Sequence, residues 1–183
     1  FRWKAWNAIE GLWKLEDPTR VWVEATEQDM QTAIGTVPFR GVVDRLDREH
    51  DGIVVTDYKS GRAPSLRYRD QRLAQVFLYA AAVEAVTNER PKRVRLLYLG
   101  QKTVEAEVTE EALGKAVADL TATWDAVCSD VSTGAFDVRP GPLCAWCPFA
   151  SRCPEGQAEI GRRNERGLVR DDAPALPALA GVA

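Results

Sequence analysis

The stretch Gly41–Gly61, GVVDRLDREHDGIVVTDYKSG, limits what this chain can fold into more than any other. Two runs rich in β-branched and apolar residues flank the polar turn REHDG, and an Asp-Gly pair between such runs is a strong hairpin signal. Side chains alternate along a strand, so Asp57 and Lys59 share one face while Tyr58 points to the other. Asp44 lies on the neighbouring strand, thirteen residues before Asp57, where a short turn brings its carboxylate close. Two adjacent carboxylates repel unless a cation sits between them. Mg²⁺ and Mn²⁺ suit that place: hard ions that take oxygen donors, held by one or two carboxylates with water and phosphate completing the shell. Lys59 would orient or help deprotonate an attacking water and stabilise charge on a phosphorane-like transition state, which is the chemistry of phosphodiester hydrolysis. The same charges have another reading, a solvated ion-pair ladder of Asp44, Arg45 and Asp47 with Lys59 on an exposed sheet face. Asp47, Arg48, Glu49 and His50 are expected in the turn and on the surface.

With 183 residues and 45% apolar content the chain can bury one real core,. No apolar run approaches 18 residues and no charged-then-apolar leader is present, which predicts a soluble, cytoplasmic protein without a membrane partner. The net charge of −3 excludes a global basic field, so a nucleic-acid partner would need a local patch. Arg62, Arg67, Arg69 and Arg72, after the second strand, are such a patch.

The periodicities predict a helix over Phe1–Leu15, with Trp6, Ile9 and Trp13 at helical spacing, then a break at EDPTR. Strand-like VWVEAT follows, then polar EQDMQ, then a long apolar-rich run interrupted by Gly35, Pro38 and Gly41,. Asp70–Glu84 reads as a buried helix with Leu73, Phe77 and Leu78 on one face. Arg95–Leu99 and Thr103–Val108 read as strands. Thr109 is placed as the N-cap of a long helix ending near Gly134. The expected architecture is α/β, a central mixed sheet flanked by helices. Residues 1–164 form one domain, with a core over about 21–135 and a cysteine-rich segment over 139–156. Residues 165–183, Pro- and Ala-rich without periodicity, are expected to be a disordered tail.

GVVDRLD, VVTDYKSG and QVFLY, in that order, resemble the GxxD, DYK and QxxxY motifs of RecB-family nucleases in the PD-(D/E)XK superfamily. The resemblance runs from about Val21 to Pro154. It implies a restriction-endonuclease-like core and metal binding by Asp44, Asp57 and the backbone carbonyl of Tyr58, with Lys59 as the catalytic lysine. It also implies that Gln75 and Tyr79 lie beside the active site, contacting the DNA or supporting Lys59. Their spacing of four independently puts both on one helix face. In such nucleases an upstream helix supplies a histidine ligand, whereas His50, the only histidine, lies in the turn. Glu24 is a further candidate near the metal.

Cys144, Cys147 and Cys153 form C-x2-C-x5-C, a density of thiolates that holds Zn²⁺ or an iron-sulfur cluster, both of which want four ligands. Cys128, beside Val127 on the long helix, is expected to be a buried structural thiol. The triad resembles that of iron-sulfur relatives, including the AddB nuclease domain and nucleases of CRISPR spacer acquisition. The resemblance implies a structural 4Fe-4S cluster whose fourth cysteine lies upstream of this chain. The mid-helix start, the absent histidine and the absent cysteine together predict an N-terminally truncated fragment, possessing an incomplete site. The reading is therefore a Mg²⁺- or Mn²⁺-dependent exonuclease acting on single-stranded DNA ends in repair or recombination, beside a helicase or other repair protein. Two alternatives stand beside it: a non-catalytic nucleic-acid-binding or scaffolding module, and a zinc-binding interaction domain.

Overall fold

The computed structural model describes residues 2–176. The chain divides into two compact units, Phe1–Ser129 and Asp130–Ala183. The first is built on a five-stranded sheet of order β1-β2-β3-β4-β5. The strands are β1 (Val23–Ile34), β2 (Val37–Glu49), β3 (Gly52–Lys59), β4 (Arg93–Tyr98) and β5 (Lys102–Glu107). β1, β2 and β3 form an antiparallel meander, β4 runs parallel to β3, and β5 returns antiparallel. The expected mixed sheet with flanking helices is therefore what the first unit adopts.

The β1–β2 turn follows from backbone freedom. Gly35 closes β1 onto β2 at φ +61°, a conformation glycine adopts without a Cβ penalty,. β1 continues through the polar EQDMQ. On an edge strand polar residues stay solvated while alternate positions dip inward, and here Met30 and Ile34 are buried at 3% exposure,. A register shift between Val23 and Ala25 and the left-handed Glu27 disturb the same strand. β3 needs no such alternation. It is central, and Ile53, Val54, Val55 and Thr56 are all at or near zero exposure.

A parallel β3–β4 pair requires a crossover, supplied by α2 (Arg69–Thr87),. Its buried face is Leu73, Val76, Ala80 and Val83 with Ala81 and Ala82, while Phe77 and Leu78, expected on that face, are only half-buried against the core. The alanines bring the helix close to the sheet. Burying each of Leu73, Val76 and Val83 is worth about 1.5–3 kcal/mol. The helix stops at Asn88, whose left-handed backbone (φ 56°) lets its N–H bond the Glu84 carbonyl at 2.9 Å,.

α1 (Arg2–Trp13) leaves Trp6, Ile9 and Trp13 more than half exposed. It meets the β4–β5 turn through Gly11, where a Cβ would stand 2.4 Å from the Gly100 nitrogen. α3 (Glu110–Thr133) begins as expected, the Thr109 hydroxyl accepting from the Ala112 N–H at 3.1 Å. Cys128 on this helix is exposed, which corrects the expectation of a buried thiol: only the first part of the apolar stripe, Leu113 with Val117 and Leu120, joins the core. Among the described residues no helix is long and apolar enough to cross a membrane.

The second unit holds short turns of 3-10 helix at Pro142–Trp146 and Ala150–Arg152, then α4 (Pro154–Glu165). Ala145, Ala150 and Ile160 form a small core with Ala173 and Ala175. The Ala175 N–H donates to the Ala145 carbonyl at 3.1 Å, so the stretch read as a tail returns onto this core before Leu176. Residues 177–183 lie outside the described residues.

Candidate active site

β2 and β3 pair with Arg45 opposite Thr56 and Leu46 opposite Val55, which carries Asp44 to the level of Asp57 and Tyr58. The Tyr58 backbone N–H donates to Asp44 Oδ2 at 2.8 Å, fixing that carboxylate on the edge of β3. Asp57 is 3% exposed. Lys59 Nζ stands 2.6 Å from its Oδ2, yet the approach lacks the geometry of a hydrogen bond and leaves that buried oxygen without one,. Burial pushes the Asp57 carboxyl above its ordinary range, the Lys59 ammonium draws it back down, and Asp44 adds to the rise,.

Lys59 is oriented from the other side. Its Nζ donates to Gln75 Oε1 at 3.4 Å, and Gln75 Nε2 donates to the Tyr79 hydroxyl at 2.8 Å. α2 thus presents both residues to Lys59 on one face, one turn apart. Tyr79 packs edge-on against Phe39, with ring centroids 6.4 Å apart. Under the ring lies Gly41, where a Cβ would come within 2.8 Å of Tyr79 Cε1. The glycine opening GVVD is therefore a close-approach position. Its place three residues before Asp44 was the available signal, and only the tertiary contact gives the reason.

The opposite face of the same hairpin is also charged and differently organised. Arg45 donates to both carboxylate oxygens of Glu16 at 2.6 and 2.9 Å, to the Tyr58 hydroxyl at 2.6 Å and to Asp47 Oδ2 at 3.0 Å. The Thr56 hydroxyl donates to the same Asp47 oxygen at 2.7 Å. Arg45 is 5% and Asp47 1% exposed. This corrects the expectation that Asp47 belongs to the surface turn, and the ladder of Asp44, Arg45 and Asp47 with Lys59 does not form. Glu16, in the EDPTR break, was not visible as a partner because its role depends on a residue 29 positions away.

The remaining candidates fall outside the cluster. His50 is 90% exposed in the turn. Glu24 is held by Arg48 at 2.8 Å, and Arg48 also pairs with Glu89, so Glu24 is not brought to the acids. Arg69 donates to the Glu105 carbonyl at 2.6 Å, whereas Arg62, Arg67 and Arg72 are exposed. In the second unit, Cys144 Sγ and Cys153 Sγ each accept a backbone N–H at 3.3 Å, from Gly141 and Gly156. A Cβ on Gly156 would meet them at 3.9 and 3.1 Å. Cys147 is exposed. Among the described residues no three of His, Cys, Asp and Glu are grouped to hold a metal ion.

A family model described as PD-(D/E)XK nuclease superfamily matches residues 4–154, most of the chain. No curated protein matches it.

Proposed function

We propose that this chain, which belongs to the PD-(D/E)XK nuclease superfamily, is an exonuclease that hydrolyses single-stranded DNA ends in repair or recombination. Membership carries the general chemistry, metal-dependent phosphodiester hydrolysis of a nucleic acid. The catalytic part of the reading rests chiefly on one observation: a buried carboxylate, Asp57, beside an ammonium held by a second element through Gln75 and Tyr79.

The donor set suits a hard divalent cation. Asp44 and Asp57 supply carboxylate oxygens on adjacent strands, and Asp57 Oδ2, buried without a hydrogen bond of good geometry beside the Lys59 ammonium, has coordination left for an ion. Asp44, Asp57 and the Tyr58 carbonyl would hold Mg²⁺ or Mn²⁺, which when bound supplies Lewis acidity at the scissile phosphate. Lys59 faces the same space, where its ammonium stabilises negative charge as it develops on the phosphate oxygens and orients the attacking water. Gln75 gives the ammonium a second partner besides Asp57. Tyr58 N–H holds Asp44 with one oxygen toward the strand.

The reading of the cysteine segment is a structural 4Fe-4S centre of the RecB-family, AddB-like kind, ligated by Cys144, Cys147 and Cys153 with a fourth ligand. Backbone N–H groups already donate to two of the sulfurs, as they do around thiolate clusters. Iron analysis and absorbance near about 400 nm separate this from Zn²⁺, which is colourless.

A second reading, a non-catalytic nucleic-acid-binding module, is favoured by the two-carboxylate site, which no third acid or histidine joins among the described residues. End-labelled single-stranded and duplex DNA, incubated with Mn²⁺ and the chain, decides between them. Expected are metal-dependent shortening of the single strand and none with Lys59→Ala or Asp57→Ala; cleavage that persists in both variants, or is absent with the parent chain, overturns the nuclease reading.

A further inference from the structure

Between Lys59 and Gln75 the chain crosses from β3 to α2 through Gly61–Tyr68, a segment that is pinned down and yet faces water. The Ala63 N–H donates to Gln101 Oε1 at 2.9 Å, and Gln101 Nε2 donates back to the Gly61 carbonyl at 2.8 Å. Lys102 Nζ donates to the Pro64 carbonyl at 3.0 Å. Arg69, at the start of α2, ties the other end to the Glu105 carbonyl. An anchored segment would be expected to bury its apolar groups. Instead Leu66 is 87% and Tyr68 50% exposed, with the Arg67 guanidinium over the Tyr68 ring at 5.6 Å.

The charge is equally uneven. Residues 61–75 contain four arginines and one acid, Asp70, in a chain of net charge −3. Arg45, Arg48, Arg90, Arg93 and Arg95 are each neutralised by carboxylates. Arg62, Arg67 and Arg72 are exposed and have no carboxylate partner among the described residues. Exposed aromatic and apolar side chains among free guanidinium groups fit one ligand class well. Unstacked bases offer flat faces to an aromatic ring, and the strand's phosphates match arginine. A duplex hides the bases and would use the arginines alone.

We infer that Gly61–Arg72 is a landing surface for single-stranded DNA, on which a base stacks against Tyr68 beside Leu66 while Arg62, Arg67 and Arg72 take the backbone phosphates. The inference rests on the proposed function for its ligand. It places the strand contacts on the segment that joins Lys59 to Gln75, so a strand held there is delivered to the carboxylates.

The test is fluorescence anisotropy of labelled oligothymidine, an abasic strand of equal length and a duplex, with the full chain in a chelator so that nothing is cut. Tyr68→Ala is expected to weaken oligothymidine binding on the order of 5- to 150-fold, the loss of one stacked base. Binding to the abasic strand and the duplex should be unchanged, and Tyr68→Trp should restore the difference. Arg62→Ala and Arg72→Ala should weaken all three ligands and each reduce the salt dependence of strand binding by about 0.7 in log–log slope. Melting temperatures identify any variant that fails to fold. Tyr68→Ala binding oligothymidine like the parent overturns the inference, even where the parent chain cleaves DNA with Mn²⁺ and the nuclease reading stands. Tyr68-dependent binding by a chain that never cleaves supports the surface and removes the nuclease reading. A parent chain that neither binds nor cleaves overturns both.

Discussion

Asp47 on β2 and Asp57 on β3 are both buried and are met differently by their neighbours. Asp47, 1% exposed, receives hydrogen bonds from Arg45 and Thr56 on Oδ2, while its Oδ1, 2.8 Å from Arg45 Nε, is buried without a hydrogen bond of good geometry. Across the sheet Asp57 is nearly as buried, at 3%, and has the Lys59 ammonium 2.6 Å from Oδ2 but receives no hydrogen bond of good geometry among the described residues. The two faces of one hairpin thus carry the same residue types with different degrees of satisfaction. Where charge is buried and matched, it holds the fold; where it is buried and left short of partners, it is available for a ligand.

The largest effect that tests this contrast is Arg45→Ala. It would leave the partly buried Glu16 without its cation and the buried Asp47 with only Arg95, 3.8 Å away, at a cost of about 3–5 kcal/mol. Denaturant unfolding measures it. If Arg45→Ala melts like the parent, the second face is not structural and the contrast collapses.

On the first face the expected loss is of activity. Lys59→Ala, which removes a charge aimed at the reacting phosphate, should lower cleavage about 10²–10³-fold. Asp44→Ala should do likewise while shifting the melting temperature far less than Arg45→Ala. An Asp44→Ala protein that unfolds but, once stabilised by lower temperature, cuts normally would invert the assignment.

Gly41→Ala comes next. Its new methyl meets Tyr79 Cε1 at 2.8 Å, so the ring must shift, with an overpacking cost of about 1–3 kcal/mol. Through Gln75 the shift should misplace Lys59 and reduce cleavage by roughly tenfold or more. Adding Tyr79→Ala should relieve the clash and restore melting temperature without restoring cleavage. Recovery of cleavage in the double variant would show that the Tyr79–Gln75–Lys59 chain positions nothing.

Much of this was legible from local pattern. Alternation and the Asp-Gly turn predicted the hairpin, and the spacing of Gln75 and Tyr79 predicted a shared face. Thr109 read correctly as a cap because capping depends on residues three apart,. What stayed hidden depended on distant partners. Arg45 and Asp47 look like surface charges until Glu16, from before β1, is placed over them. EQDMQ carries little strand pattern because an edge strand needs only alternate burial, and within it Met30 alone is buried. The roles of Asp44, Asp57 and Lys59 were suggested by motif order, since two carboxylates and a lysine at loose spacing occur in many solvated sheets. Thiol spacing could not say that the Cys144 and Cys153 sulfurs both lie against Gly156 while Cys147 stays exposed.

The smallest effect is the most direct probe of unequal satisfaction. Burial raises the Asp57 pKa in the fold, so its contribution to stability is fully present below the unfolded carboxylate pKa, about 3.9, and is lost as pH rises through the higher folded value. At neutral pH, in a chelator, the parent therefore loses stability by holding this carboxyl group in its core, where burial disfavours the charge,. Asp57→Asn removes that charge and should melt higher than the parent at pH 7, with the advantage shrinking as pH falls through the carboxylate range. Mn²⁺ should then reverse the order, because an ion that binds only the folded parent stabilises it by mass action and leaves the Asn variant unchanged. Thermal melts across pH, with and without Mn²⁺, read both signs. A variant less stable than the parent at pH 7 without metal would mean that Asp57 is held as firmly as Asp47, and the two faces would no longer differ in kind.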